Sequence, residues 1–150
     1  MDVHIRPATA ADLPALHGLV AELARYVGES ASLATVVADY ERDFAAGFFR
    51  ALVAEDREAG RVVVGMALYY FAYSTWKGRM IYLEDFVLEP AYRRRGIGQQ
   101  LWDALKEQGR ANGCKLLKWQ IAENNTEALK FYRAQEADIT GSWIDGKLYL

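Results

Sequence analysis

The chain has 150 residues, a usual size for one domain, of which 52% are hydrophobic and 25% charged. That balance excludes a disordered tail and a membrane protein. Its 18 basic and 20 acidic residues leave a formal charge of −2, so no global field favours nucleic acid and any polyanion must be met by a local patch.

VHIR alternates apolar and polar residues as a short strand does. ATAADLPALHGLVAELARYV then sets Leu13, Leu16, Val20, Leu23 and Val27 at helical spacing, with Thr9 or Asp12 available as a cap. After the loop GESAS, SLATVVADYERDF is expected to form a second helix with Leu33, Val36, Val37 and Tyr40 on one side. ALVAE, VVVGMALYYFAY and MIYLEDFVL, divided by turns at DREAG and STWKGR, read as an antiparallel meander. GIGQQLWDALKEQGRANG places Ile97, Leu101, Trp102 and Leu105 on one helix face and ends at Gly113. The strand KLLKWQIA, the helix TEALKFYRA and two short terminal strands, ADIT and GKLYL, complete the order. No linker divides the pattern, which implies one α+β (mixed α/β) domain over residues 1–150.

Cys114 is the one cysteine, which excludes an internal disulfide and a cysteine-rich metal site, and its place at a strand entrance makes it a packing residue. His4 and His17 match no metal spacing and are read as structural, so no metal is expected. The start MDVHIRPATAADLPAL lacks the apolar core of a secretory signal, and a cytoplasmic setting is expected.

YRRRGIG, running from Tyr92 into the helix QQLWDALKEQ, is the stretch that carries chemistry. A helix N-terminus presents unpaired N–H groups and partial positive charge, which suits phosphate. Gly96 and Gly98 remove the steric obstacle, and an arginine at 93, 94 or 95 adds charge-assisted hydrogen bonds. A P-loop needs Lys and Ser or Thr after the second glycine, and a dinucleotide fingerprint needs a third glycine; Gln99, Gln100 and Leu101 fail both. The spacing that fits is R-x-x-G-x-G, and with it the chain resembles the GNAT N-acetyltransferases. IRPATAADL, LARY, LVAE, YYFAYSTWKGRMIYLEDFVLEPAYRRRGIG and NNTEALKFYR resemble, in that order, the spermidine/spermine (diamine) acetyltransferase branch, with YLEDF its specific part.

The resemblance implies a central, mostly antiparallel sheet that splays between IYLEDFVL and KLLKWQIA, with the pantetheine arm of acetyl-CoA in the cleft. It implies hydrogen bonds from the backbone of Phe86, Val87 and Leu88 to that arm. Further CoA contacts are implied at Arg94, Arg95, Gly96, Ile97, Gly98 and Gln99, and at Asn125, Thr126, Glu127, Ala128 and Tyr132. Amine contacts are implied at Tyr26, Glu84, Lys118, Trp119 and Gln120, and homodimers are what the family forms. Two departures bear on the acceptor: RYVGESASLA keeps only Glu29 where the polyamine enzymes are rich in acids, and Ser74 replaces an acid before Trp76. Without those carboxylates a shorter diamine or a lysine-like amino acid becomes as plausible as a long polyamine.

An amine attacks a thioester only when neutral, and an alkyl ammonium has a pKa near 10 by analogy with lysine. Glu84 is the expected proton acceptor, through a water, with Asp85 as a substrate-orienting candidate; strand alternation sends the two to opposite faces unless a bulge intervenes. Tyr132 is the expected proton donor to the leaving thiolate, and Trp76 either packs on a substrate's alkyl chain or anchors its hairpin. The reading is thus acetyl transfer from acetyl-CoA to a small-molecule amine in a ternary complex. Alternatives are a catalytically silent CoA-binding sensor, or transfer to a protein amine; a nucleic-acid contact through YRRR is disfavoured by the net charge.

Overall fold

Runs of β-branched and aromatic residues pair into one sheet, and the apolar stripes of the helices cover it. The computed structural model describes residues 1–150, which group into two compact units, Met1–Trp119 and Gln120–Leu150. The first unit carries β1 (Val3–Pro7), α1 (Leu13–Tyr26), α2 (Val37–Ala45), β2 (Arg50–Asp56), β3 (Val62–Ser74), β4 (Gly78–Leu88), α3 (Ile97–Ala111) and β5 (Leu116–Trp119). The second carries α4 (Thr126–Ala134).

The strands lie in the order β1-β2-β3-β4-β5. The first three pairings are antiparallel and β4–β5 is parallel, so the meander read from the sequence is present. Alternation along the strands divides the side chains between two faces. On one face Leu13, Leu16 and Leu19 of α1 pack with Ala51, Val53, Met66 and Leu68, and Tyr40 and Phe44 of α2 join at the edge. On the other, α3 buries Ile97, Leu101, Trp102 and Leu105, the positions its periodicity selects.

Arg6 of β1 ties this unit together: its guanidinium reaches Asp12 at 2.8 Å and Glu55 at 2.8 Å, and Asp12 also accepts the Thr9 N–H at 2.7 Å. Asp12, rather than Thr9, is therefore the acceptor that closes the turn into α1.

Some expectations change. Leu23 and Val27 are exposed, because the buried stripe of α1 runs through Leu19 instead. The second helix begins at Val37, not Ser32, because the Asp39 carboxylate accepts the Val36 N–H at 2.8 Å and starts the helix there; Val36 itself is exposed. In the second unit, residues 135–150 hold no strand, so ADIT and GKLYL do not form the two expected. The segments have the composition of strands but make no ladder with each other, and a lone two-stranded pair is marginal in water. α4 is capped at its start by Asn125, whose side chain accepts the Ala128 N–H at 3.1 Å.

Candidate active site

Four hydrogen-bonded registers decide what β4 exposes. The parallel ladder with β5 runs from Met80↔Leu116 to Leu83↔Trp119 and stops. On its other side β4 stays paired to β3 through Asp85, Phe86, Val87 and Leu88. Residues 84–88 therefore turn one strand edge toward no neighbouring strand, which can hydrogen-bond an extended amide ligand as an added strand would. Trp102 of α3 props this opening, its ring 6.1 Å from Phe86 and 5.1 Å from Trp119, edge-on to both.

A β-bulge sits at the same place. Leu68 faces Asp85 and the next residue, Tyr69, faces Leu83, so Glu84 is the extra residue. Asp85 lies across from Leu68 on the α1/α2 face, and Glu84 accepts a long 3.4 Å hydrogen bond from the hydroxyl of Tyr70, which alternation places on that face too. The bulge thus defeats the alternation that would have separated the two carboxylates.

Glu84 is exposed, whereas Asp85 is largely covered. Burial, and secondarily the neighbouring Glu84 charge, push the Asp85 carboxyl up to about 6. Tyr40 from α2 has its hydroxyl pKa raised by burial and then by the charge of Asp85, which places it within the field of the pair. Tyr70 stacks on Tyr82 at 5.3 Å between ring centres. Two carboxylates beside Tyr70 and Tyr82, with Tyr40 near enough to feel their charge, form a site suited to an ammonium on an alkyl chain. The sequence marks Tyr40 only as a residue on the apolar side of its helix and none of the three as a site residue, although the Tyr70–Tyr82 pair is available as a cross-strand pair around STWKGR.

Tyr26 ends α1 and Trp76 sits in the β3–β4 turn, both almost fully exposed. Lys118 pairs with Tyr82 and shares its face, while Trp119 packs on Trp102 at the opposite face. Gln120 belongs to the second unit, where its amide donates to Asp145 at 2.6 Å.

The arginine turn follows β4 directly. Arg93 donates its Nε–H to the Leu88 carbonyl at 3.1 Å, which leaves the exposed Arg94 and Arg95 for a ligand. Arg94 and Gly96 both adopt left-handed backbone, φ 62° and 79°. Gly96 caps α3, and a side chain added there would meet nothing within 4 Å, so the space over the helix start is open. The first-turn N–H groups have no partner inside the helix and face that space with the positive end of the dipole.

In the second unit Thr126 and Glu127 begin α4, and Tyr132 is buried, with its phenol pushed up to about 12 by burial. That hydroxyl stays protonated at any working pH. His17 is structural, its Nε2 2.8 Å from the Thr35 carbonyl, and burial raises the Cys114 thiol away from reactivity.

The model of the acetyltransferase (GNAT) family matches residues 15–136. A thialysine N-epsilon-acetyltransferase of Bos taurus is 36% identical over 146 residues, covering 92% of this chain and 86% of its own. A spermidine/spermine N(1)-acetyltransferase-like protein 1 of Homo sapiens is 32% identical over 89% of this chain, which spans 20% of that protein. Among solved structures, the aminoglycoside acetyltransferase HMB0005 from an uncultured soil metagenomic sample superposes with a TM-score of 0.80 at 21% identity, over 99% of this chain and 100% of that one. The aminoglycoside N-acetyltransferase AAC(6')-Iy, in complex with CoA, gives 0.78 at 22% identity, over 99% and 96%. These last two likenesses speak to the fold.

Proposed function

The chain belongs to the acetyltransferase (GNAT) family and is an acetyl-CoA-dependent amine N-acetyltransferase, and from that premise we propose that its acceptor is a primary amine of a small diamine, polyamine or lysine-like molecule. The observation that carries this reading is the bulge that turns Glu84 and Asp85 to one face beside Tyr40, Tyr70 and Tyr82. Relatives named for thialysine and for spermidine/spermine support the substrate class.

Acetyl-CoA is held with its pyrophosphate over the start of α3, met by Arg94, Arg95, Gly96, Ile97, Gly98 and Gln99, and with its pantetheine amides along Phe86, Val87 and Leu88. Asn125, Thr126, Glu127 and Ala128 complete that set. Asp85 draws the ammonium in, and Glu84, which water reaches, accepts its proton. The neutral nitrogen attacks the thioester carbon, a C–N bond forms and the C–S bond breaks; Tyr132 gives its proton to the departing sulfur, and the second proton leaving the nitrogen passes through water to restore the Tyr132 phenol. Tyr26, Trp76, Lys118, Trp119 and Gln120 are the further substrate contacts.

A short acceptor is favoured over a long one. Glu29, with a hydrogen bond from the Ser32 hydroxyl at 2.9 Å, is the one acid in the loop after α1, and Ser74, which accepts the Lys77 N–H within the hairpin turn at 3.1 Å, offers no charge to a distal ammonium. We further propose, from the family resemblance, a homodimer of single-domain subunits working in the cytoplasm. No helix is long and apolar enough to cross a membrane.

The test is release of CoA thiol from acetyl-CoA with putrescine, spermidine, spermine, lysine, thialysine and a lysine-terminated peptide. Release driven best by thialysine, lysine or putrescine is the expected result. CoA binding without release by any amine would favour the sensor reading instead. Tyr132→Phe is expected to lower kcat by about a hundredfold with little change in CoA affinity; unchanged turnover would remove Tyr132 from the mechanism.

A further inference from the structure

Tyr92 lies just before the three arginines. Its hydroxyl donates a 2.9 Å hydrogen bond to Oδ2 of Asp56, which ends β2 on the far side of β3 from β4. Asp56 is 4% exposed, a depth at which a carboxylate persists only with partners. It has them: Oδ1 accepts the N–H of Glu58 at 3.1 Å and, at 3.4 Å, those of Asp2 and Ala59. Burial alone would raise its pKa, but the Tyr92 hydroxyl and these N–H groups outweigh it and hold the carboxyl below its ordinary value. The same bond raises the Tyr92 phenol.

This contact has no part in the acetyl-transfer chemistry, yet it falls where the turn needs a fixed point. The turn leaves β4 with the Glu89 N–H on the Val64 carbonyl at 2.9 Å, closes one 3₁₀ turn over Pro90–Tyr92, and then passes through left-handed backbone at Arg94 and Gly96. A left-handed non-glycine residue costs energy and persists only when its surroundings over-determine it. Two side chains supply that constraint: Arg93 on the Leu88 carbonyl, within the turn's own strand, and Tyr92 on Asp56, the tie that reaches another strand. Gly65 permits the close approach behind them, since an added Cβ would lie 2.7 Å from Leu88 Cδ1 and 2.9 Å from the Val87 carbonyl oxygen. The turn therefore has a firm base and one lateral brace.

We propose that Tyr92 is a positioning residue for the cofactor turn, bracing Arg94, Arg95 and the start of α3 through its hydrogen bond to Asp56. The inference rests on the acetyl-CoA reading of that turn. A preorganised turn spends no binding energy on its own ordering, so the brace acts on acetyl-CoA affinity and leaves the carboxylates and the amine alone.

The experiment compares wild type, Tyr92→Phe, Asp56→Asn and the double variant by calorimetric titration with CoA and by steady-state kinetics, with circular dichroism melts on each. Tyr92→Phe is expected to weaken CoA and raise the acetyl-CoA KM by about fivefold, with kcat and the amine KM within about twofold of wild type. In the Asp56→Asn background the same change is expected to matter less, since the two side chains act through one bond. A CoA affinity unmoved by Tyr92→Phe, a loss confined to kcat, or an equal effect in both backgrounds would overturn the positioning role. A loss of CoA affinity that only tracks a lowered melting temperature would overturn it as well. Wild type that fails to bind CoA at all would overturn the acetyl-CoA reading and this inference with it, which separates the two failures.

Discussion

Asp85 pays a cost of fold stability for its place. Its carboxyl titrates near 6 in the folded chain against an ordinary 3.8, because burial and Glu84 disfavour its charged form. Between those two values the folded state binds more protons than the unfolded one, so stability falls as pH rises and the loss is complete above the folded pKa. The loss at pH 7 is of the order of 3 kcal/mol at most. Asp85→Asn, which keeps the shape of the neutral acid, is expected to stabilise the protein by about 1–3 kcal/mol at pH 7 and scarcely at pH 4, measured by urea unfolding at both. It is also expected to raise the amine KM steeply while CoA affinity holds. A variant less stable than wild type at pH 7 would mean the ionised carboxylate is favoured by its site, contrary to its setting.

At the level of elements, α4 ends in a complete Schellman motif built on an unusual residue. The Ala137 N–H bonds the Tyr132 carbonyl at 3.3 Å and the Glu136 N–H bonds that of Arg133 at 3.1 Å, with Glu136 at φ 61° where glycine is usual. Glu136 is exposed, and these two backbone hydrogen bonds are what hold it in the left-handed region. Glu136→Gly relieves roughly 1–2 kcal/mol of left-handed strain and gives back part of it through the freer unfolded chain. A net gain of about 0.5–1 kcal/mol is expected, seen as a rise of about 2 °C in the melting temperature; a fall would show that the Glu136 side chain contributes more than its backbone costs. Beyond Glu136 the chain forms no strand. Elements whose signals are local were legible: α3 from Gly96 to its buried Ile97, Leu101, Trp102 and Leu105, and the β3–β4 hairpin from its alternation about STWKGR. What was not legible depends on partners distant in sequence. The Glu84 bulge carries no glycine to announce it and exists because β3 fixes the register on both sides. Tyr40 lies within the field of the carboxylates because α2 packs on the sheet, and the start of that helix is decided by one Asp39 side chain in a run that looks helical throughout.

Over the whole molecule, a chain of net charge −2 has to bind an anionic cosubstrate and a cationic acceptor, and the proposed site does so by segregating its charges. The cationic region is narrow. Of the three arginines in the turn, Arg93 is engaged with Leu88, so in the proposed site Arg94, Arg95 and the α3 dipole carry the attraction for pyrophosphate. The anionic region is Glu84 and Asp85 on the face of the sheet that α1 and α2 cover. Because Arg94, Arg95 and Glu84 are exposed, both attractions act largely through solvent and are screened by salt, with a Debye length of about 10 Å at 0.1 M shrinking to about 3 Å at 1 M. Raising NaCl from about 0.05 to 0.5 M is therefore expected to weaken CoA binding and to raise the amine KM together. Arg94→Gln with Arg95→Gln is expected to flatten the salt dependence of CoA binding while leaving that of the amine KM in place, and Glu84→Gln to do the reverse. Both salt dependences vanishing in either variant would mean that one extended field, rather than two local charge clusters, brings the substrates in. An unchanged CoA salt dependence after removal of both arginines would instead place the attraction in the backbone of the helix start, where glycine and dipole act without side-chain charge.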